Sequence, residues 1–350
     1  MIDVDTRDDV LTTDAPAVDV GDAQALLRAQ YGIDGVLQPL NGERDQNFHV
    51  RTANGVGYVF KIAHPAEARE VTNLQIEALR HIAVVDPALP VPHVIPTLTG
   101  GYAFEIEPPR GPARLARLLT YLPGAMLSDV SRTAALNRNL GAFAARVGRA
   151  LRGFFHTGAG HVLLWDIRQA PRVRSFLPYA PAETRPAVAR FIDQFEQHAL
   201  PMLPRLRAQV IHNDMNSHNV VMDPMQPDRV AGLIDFGDML HAPLVMDVAV
   251  ACAYLHHDSG HPLLPAAQFA AAYHRACPLE PDEIDILYDL VAVRLAIAPA
   301  ITFWQAERFP ALRDYVLRES VTMGRMLACY ASVSRDDARS YFHRACREGA

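Results

Sequence analysis

Cysteine is scarce: there are four in 350 residues, at positions 252, 277, 329 and 346, with no pair at metal-ligand spacing. That speaks against a disulfide framework or a thiolate metal site and fits reduced thiols in a cytoplasmic protein. No run of lysine or arginine builds a basic stripe. The net charge is −6 and the pI about 6.2, which argues against a nucleic-acid partner. No stretch of eighteen apolar residues offers a membrane span, and the acidic N-terminus lacks the apolar core of a signal peptide. The expectation is a soluble protein with no membrane partner. What is present is half hydrophobic and 21% charged, enough for a sizeable core, and the length favours two domains or lobes.

Residues 1–20 are acidic and aperiodic and read as a mobile tail. "VGDAQALLRAQYGI" (Val20–Ile33) has a short helix pattern with Asp22 near its cap. From Gly35 to Ala63 apolar and polar residues alternate around Asn41-Gly42 and Asn54-Gly55, the marks of β-hairpins. Val71, Leu74, Ala78, Leu79 and Ile82 then share one helical face. "LPVPHVIPTLTGGYAFEIE" reads as strand, turn, strand, and "ARLARLLTYLPG" runs to a Pro-Gly stop at Gly124. Beyond it long helical patterns dominate, including "EIDILYDLVAVRLAIAPAITFWQ". The fold class is therefore α+β: a small antiparallel sheet with one main helix, then a larger, mostly helical lobe.

Two polar stretches interrupt the helical part. In "VIHNDMNSHNVV" Asp214 precedes Asn219 by five residues, and in "VAGLIDFGDM" Asp235 lies sixteen residues further on. A carboxylate, an amide and a second carboxylate in this order suit phosphoryl transfer. Asp214 would orient the acceptor hydroxyl as catalytic base, and Asn219 and Asp235 would offer hard oxygens to Mg²⁺. Protein kinases use the same spacing ahead of a "DFG". An Asn/Asp-rich turn followed by a chance "DFG" is the bland alternative, and the combined order and spacing outweigh it. His212 would buttress the loop. In the N-terminal half, Lys61 interrupts the strand "VGYVFKIA", as a lysine that pairs with nucleotide phosphates would. The competing reading is an edge-strand solubility residue. The hairpin "LNGERDQNFHV" has one glycine, so amides near Gln46 and Asn47 would cradle the phosphates.

The segments "DQNFHV" (Asp45–Val50), "YVFKI", "RLLTYLPG", "NDMNSHNVV" and "GLIDFGDM" together resemble the aminoglycoside phosphotransferase/choline kinase superfamily, with its two-lobed protein-kinase-like fold. Within it the likeness is strongest to the hydroxylysine kinases. The resemblance covers roughly residues 40–250 and implies an N-lobe over 21–117, an interlobe linker over 118–124 and a helical C-lobe over 125–350. It implies that Thr120 and Leu122 present backbone groups to the purine, and that ATP or GTP donates the phosphoryl group to a small hydroxylated amine, 5-hydroxylysine first. It also shows a departure: Gln75 stands where the superfamily's helix glutamate should pair with Lys61. A neutral amide orients an ammonium more weakly than a carboxylate does, and Lys61 is left with no assured carboxylate partner.

Other residues carry less. "HHDSGH" (256–261) has metal-ligand residue types but the setting of a polar loop at a helix end. Trp165 or Asp166 would line the acceptor pocket or simply sit in the core. Asp247 is expected to anchor the catalytic core through hydrogen bonds, and Arg294, on an apolar helix, to pair with an unnamed acid. The alternatives are the same chemistry on homoserine, choline, ethanolamine or an aminoglycoside, a nucleotide-binding pseudokinase, or a helical scaffold without a nucleotide site. Oligomeric state leaves no readable mark.

Overall fold

The computed structural model describes residues 17–107, 112–256 and 260–349. Most of the expected tail (residues 1–16) and the centre of "HHDSGH" (257–259) fall outside them. The chain divides into two compact units: residues 1–123 with 156–161, and residues 124–155 with 162–350.

The first unit is an antiparallel sheet of β1 (Val36–Leu40), β2 (Gln46–Arg51), β3 (Gly57–Ile62), β4 (Val94–Ile95), β5 (Phe104–Ile106) and β6 (Arg114–Thr120). Its order is β1-β2-β3-β6-β4, with β5 also paired to β6. Period-two alternation sends Phe48, Val50, Phe60, Ile62, Ala116 and Leu118 into a core with Ala23, Leu27 and Tyr31 of α1 (Val20–Tyr31). The cap of α1 is Asp19, whose carboxylate accepts from the Asp22 N–H. Asp22, expected near the cap, stands in the first turn and donates its backbone N–H to it. The same alternation puts Asn47, Lys61 and Arg117, which are cross-strand partners, in one row on the opposite face. That row meets residues of α2 (Arg69–Val85), whose buried stripe includes Leu74, Gln75, Ala78 and Ile82. β3 lies between β2 and β6, so the edge-strand reading of Lys61 is eliminated. Residues 118–120 of the expected linker are the end of β6, because Tyr58, Val59 and Phe60 supply them with strand partners.

A single helical turn, Thr157–Gly160, also belongs to this unit. It rests on the start of α2, where a Cβ on Gly158 would lie 2.2 Å from the Glu70 carbonyl oxygen and is excluded. Asn73 Nδ2 and His156 Nε2, 3.3 Å apart, close the contact.

The second unit holds two small sheets, β10-β9-β7 and β11-β8, built from β7 (Ala125–Met126), β8 (Ala208–Ile211), β9 (Val220–Asp223), β10 (Gln226–Leu233) and β11 (Leu240–Pro243). Its longer helices are α3 (Ala134–Ala150), α5 (Arg185–Gln194), α6 (Leu244–Ala253), α7 (Leu264–Ala276), α9 (Leu287–Arg308), α11 (Ser320–Ala331) and α12 (Arg335–Glu348). The short helices α4 (Ala170–Val173), α8 (Pro281–Asp285) and α10 (Arg313–Val316) join them. A break at Ile286 splits into α8 and α9 what the sequence pattern reads as one helix. α3 packs so closely on α7 that a Cβ on Gly141 would sit 2.2 Å from the Phe269 carbonyl. α9 is touched by α5, α6, α11 and α12. It is long and apolar enough to cross a membrane, with a hydropathy of 1.5 in its most apolar window, yet 89% of that window is buried inside the protein. A core helix accounts for it, and it also carries the buried polar side chains Asp289 and Arg294.

Candidate active site

The polar row of the first unit is a charge cluster. Lys61, 8% exposed, has its Nζ 3.6 Å from Oδ2 of Asp45, which comes from the loop between β1 and β2. The same oxygen accepts from Arg117 Nη2 at 3.0 Å, and Arg117 is 1% exposed. Gln75, expected beside the Lys61 ammonium, uses its carbonyl to accept from that Arg117 nitrogen and offers its amide to Glu67 Oε1 at 3.5 Å. Thr72 Oγ1 donates to the same Glu67 oxygen at 2.6 Å. Burial, reinforced by the Asp45 charge, pushes the Glu67 carboxyl above its ordinary pKa, with Arg117 opposing. Asn47 Nδ2 donates to the Asp45 carbonyl at 3.1 Å and so braces the loop. Thr120 N–H is committed to the His93 carbonyl at 2.9 Å, which leaves only the Thr120 carbonyl to offer a purine ring; Leu122 lies two residues on, half-buried.

In the second unit the loop from β8 to β9 carries the acid and the amide. Asn213 (φ 62°) and Asp235 (φ 59°) are the two non-glycine residues at positive φ among those described, a cost that clusters at functional sites. Asp247 on α6 holds the strained turn: its Oδ1 accepts from Asn213 N–H at 2.8 Å and its Oδ2 from His212 N–H at 3.4 Å. His212, buried against Phe236, has Nδ1 3.2 Å from Asp214 N–H and Nε2 3.2 Å from the Ile234 carbonyl. Those two contacts together assign the proton to Nε2. Burial holds the imidazole below its ordinary pKa, so it serves as a neutral brace.

Asp214 is thus presented with both oxygens engaged. Asn216 Nδ2 donates to Oδ1 at 2.9 Å and Asn219 Nδ2 to Oδ2 at 2.6 Å. Burial raises its carboxyl well above the usual range, the charge of Asp238 adds to this, and Arg294 opposes it. Arg294 resolves the puzzle of a guanidinium on an apolar helix: its Nη2 is 3.5 Å from Asp214 Oδ1. Its other contacts are the Trp165 carbonyl at 2.7 Å and the Tyr254 hydroxyl at 3.2 Å, with the guanidinium 4.8 Å from the Trp165 ring centroid. Asp166, by contrast, caps its own turn through Arg168 N–H at 2.9 Å and pairs with the Arg168 guanidinium. Ser217, Tyr254, His256, Glu319, Met323 and Met326 line a small cleft with room for little more than a water molecule. Glu319 ties to the loop through Ser217 Oγ at 2.9 Å and His218 Nε2 at 2.8 Å. Those two contacts, His218 first, hold its carboxyl below the ordinary range against burial.

The donor set suits one hard cation shared with phosphate oxygens. With Nδ2 spent on Asp214, Asn219 has Oδ1 to offer, and Asp235 is exposed just beyond β10, where Ile234 N–H donates to the Asn219 carbonyl at 2.8 Å. Among the described residues no cluster of three or more His, Cys, Asp or Glu could hold a metal by itself. Sequence reasoning missed Asp45, Arg117, Glu67, Asp238 and Glu319. One signal was available: Lys61 is the only lysine in the chain, all other cationic side chains except histidine being arginine. A residue type used once, inside a central strand, marks a task that arginine does not perform.

The model of the phosphotransferase enzyme family matches residues 36–287. Hydroxylysine kinase of Danio rerio is 25% identical over 339 residues, covering 91% of this chain and 94% of that protein. A microcompartment-associated aminopropanol kinase superposes with a TM-score of 0.68 at 18% identity, over 94% of this chain and 99% of its own. An amicoumacin kinase solved with AMP-PNP and Ca²⁺ gives 0.67 at 15%, over 93% and 97%. These likenesses give the fold its class, a two-lobed, kinase-like α+β architecture.

Proposed function

We propose that this chain, which belongs to the phosphotransferase enzyme family and is a small-molecule kinase acting on an alcohol group, phosphorylates an amino alcohol, with 5-hydroxylysine the favoured acceptor. The observation that carries the chemistry is Asp214, held at both oxygens by Asn216 and Asn219 and faced by Arg294. Such a carboxylate is pre-aimed and can accept the proton of an acceptor hydroxyl. Asn219 and Asp235 would hold Mg²⁺, which when bound neutralises phosphate charge. Lys61 donates to the donor nucleotide's phosphates, Asn47 braces the loop over them, and Gln75 acts on the lysine's surroundings through Arg117. The Thr120 carbonyl and Leu122 would face the purine.

The hydroxylysine acceptor is supported by curated relatives of that name matching nearly the whole chain. GTP stands beside ATP as donor, since the hydroxylysine kinases that the chain resembles favour it. The four free cysteines go with a cytoplasmic setting. The test is Mg²⁺-dependent nucleotide consumption by the purified protein over a panel of hydroxylated amines, with ATP and GTP in parallel and Asp214→Asn as control. Turnover selective for 5-hydroxylysine and absent in the variant is the expected result. Turnover on homoserine, ethanolamine or an aminoglycoside instead would discard the acceptor and keep the reaction, and nucleotide binding without turnover on any alcohol would favour a pseudokinase.

A further inference from the structure

The row Asn47–Lys61–Arg117 has a property that the kinase template lacks. There the strand lysine is held by a glutamate on the helix; here the helix position is Gln75, and Gln75 reaches Arg117. Two cationic side chains, Lys61 and Arg117, stand as direct cross-strand partners in the middle of a sheet, both nearly buried. Like charges so placed repel unless a counter-charge lies between them. Asp45 Oδ2 supplies it, at 3.6 Å from Lys61 Nζ and 3.0 Å from Arg117 Nη2.

We propose that Asp45, on the β1–β2 loop, is the positioning residue for Lys61, and that Arg117 and Gln75 relay the hold of helix α2 to it. The inference rests on the kinase reading above. Thr72 fixes Glu67, Glu67 accepts from Gln75, Gln75 accepts from Arg117, and Arg117 fixes the Asp45 oxygen that also faces Lys61. The helix still governs the lysine, through an arginine and a loop carboxylate rather than directly.

The same cluster explains why residue 75 is an amide. The carboxylates of Asp45 and Glu67 already stand near the two cations, and the Asp45 charge presses on Glu67. A glutamate at 75 would bring a third buried carboxyl beside Glu67 and draw Arg117 away from Asp45. The neutral amide completes the chain of hydrogen bonds without either penalty. Because Asp45 belongs to the loop expected to cover the phosphates, and Asn47 ties its carbonyl, the position of that loop and the aim of the lysine are one variable.

The test is the dissociation constant of a non-hydrolysable ATP analogue with Mg²⁺, measured by calorimetry on the full chain, with thermal unfolding recorded for each variant. Asp45→Asn weakens binding about tenfold, the scale of one charge-assisted contact. Asp45→Glu, which keeps the charge, recovers most of it. The double variant Asp45→Asn/Gln75→Glu returns a carboxylate from the helix side at constant net charge and regains affinity over Asp45→Asn alone. A folded Asp45→Asn protein that binds the analogue as tightly as the wild type, or more tightly, overturns the proposal and leaves the kinase reading standing; tighter binding would make Asp45 a competitor of the phosphates. A wild type that binds no nucleotide overturns that reading and the inference with it.

Discussion

Asn219 Nδ2 lies 2.6 Å from Asp214 Oδ2, and the same nitrogen lies 2.9 Å from the Asp214 carbonyl. The amide five residues downstream therefore fixes both the rotation of the carboxylate and the turn that carries it. The spacing legible in the sequence is the length of loop needed to close that contact.

Replacing Asp214 by Asn keeps the shape and removes the proton acceptor. Turnover should fall by roughly 10²–10⁴-fold, the range for a positioned general base, while affinity for the nucleotide holds. Steady-state rates beside a binding isotherm check it; an active Asp214→Asn protein would remove Asp214 from the chemistry.

Asp247→Ala withdraws the acceptor from the backbone N–H groups of His212 and Asn213 just where Asn213 sits at φ 62°. Each buried donor left unsatisfied costs about 1–3 kcal/mol. Urea unfolding should show a lower midpoint at unchanged slope, and the folded fraction should turn over more slowly because the catalytic loop loses its anchor.

The single lysine makes Lys61 addressable by chemistry alone. An amine-reactive reagent should modify two sites at most, Lys61 and the N-terminal amine. Mg²⁺ and nucleotide should protect only the former, as peptide mass mapping would show. Equal labelling of Lys61 with and without nucleotide would contradict its role at the phosphates.

Asp285 gives a pH signature of stability independent of catalysis. His343 Nε2 at 2.6 Å and Arg339 Nε at 2.7 Å hold its carboxyl below the ordinary value, against burial. A depressed folded-state pKa stabilises the fold above the unfolded value of about 4, and this contribution is lost as pH falls through the folded value. Wild type should therefore melt above Asp285→Asn at neutral pH, with the gap closing on acidification. A gap that stays constant down to about pH 3 would mean that the carboxylate's charge contributes nothing.

The elements that show in the sequence are those whose order is local. The hairpin turns at Asn41-Gly42 and Asn54-Gly55, the amphipathic stripe of α2 and the five-residue spacing from Asp214 to Asn219 each depend on neighbours a few positions away. Partners of buried charges are another matter. Arg294 meets Asp214 across 80 positions and Asp45 meets Arg117 across 72, and no periodicity encodes such pairings. The Gln75 departure was visible as a missing carboxylate, whereas its compensation came from a loop read only for its amides. The break at Ile286 escaped because α8 and α9 share one apolar pattern across it.

The return of residues 156–161 to the first unit has a consequence for how such a chain can be cut and rejoined. The sheet unit is not a cassette. A fragment ending at Pro123 would strip α2 of the Gly158 turn against Glu70 and of the His156 contact to Asn73. Recombination that swaps such a nucleotide-side module must place three crossovers, after residues 123, 155 and 161, or accept a helix with one face bared. Inheritance of the N-terminal half is thereby tied to a six-residue strip lying beyond α3.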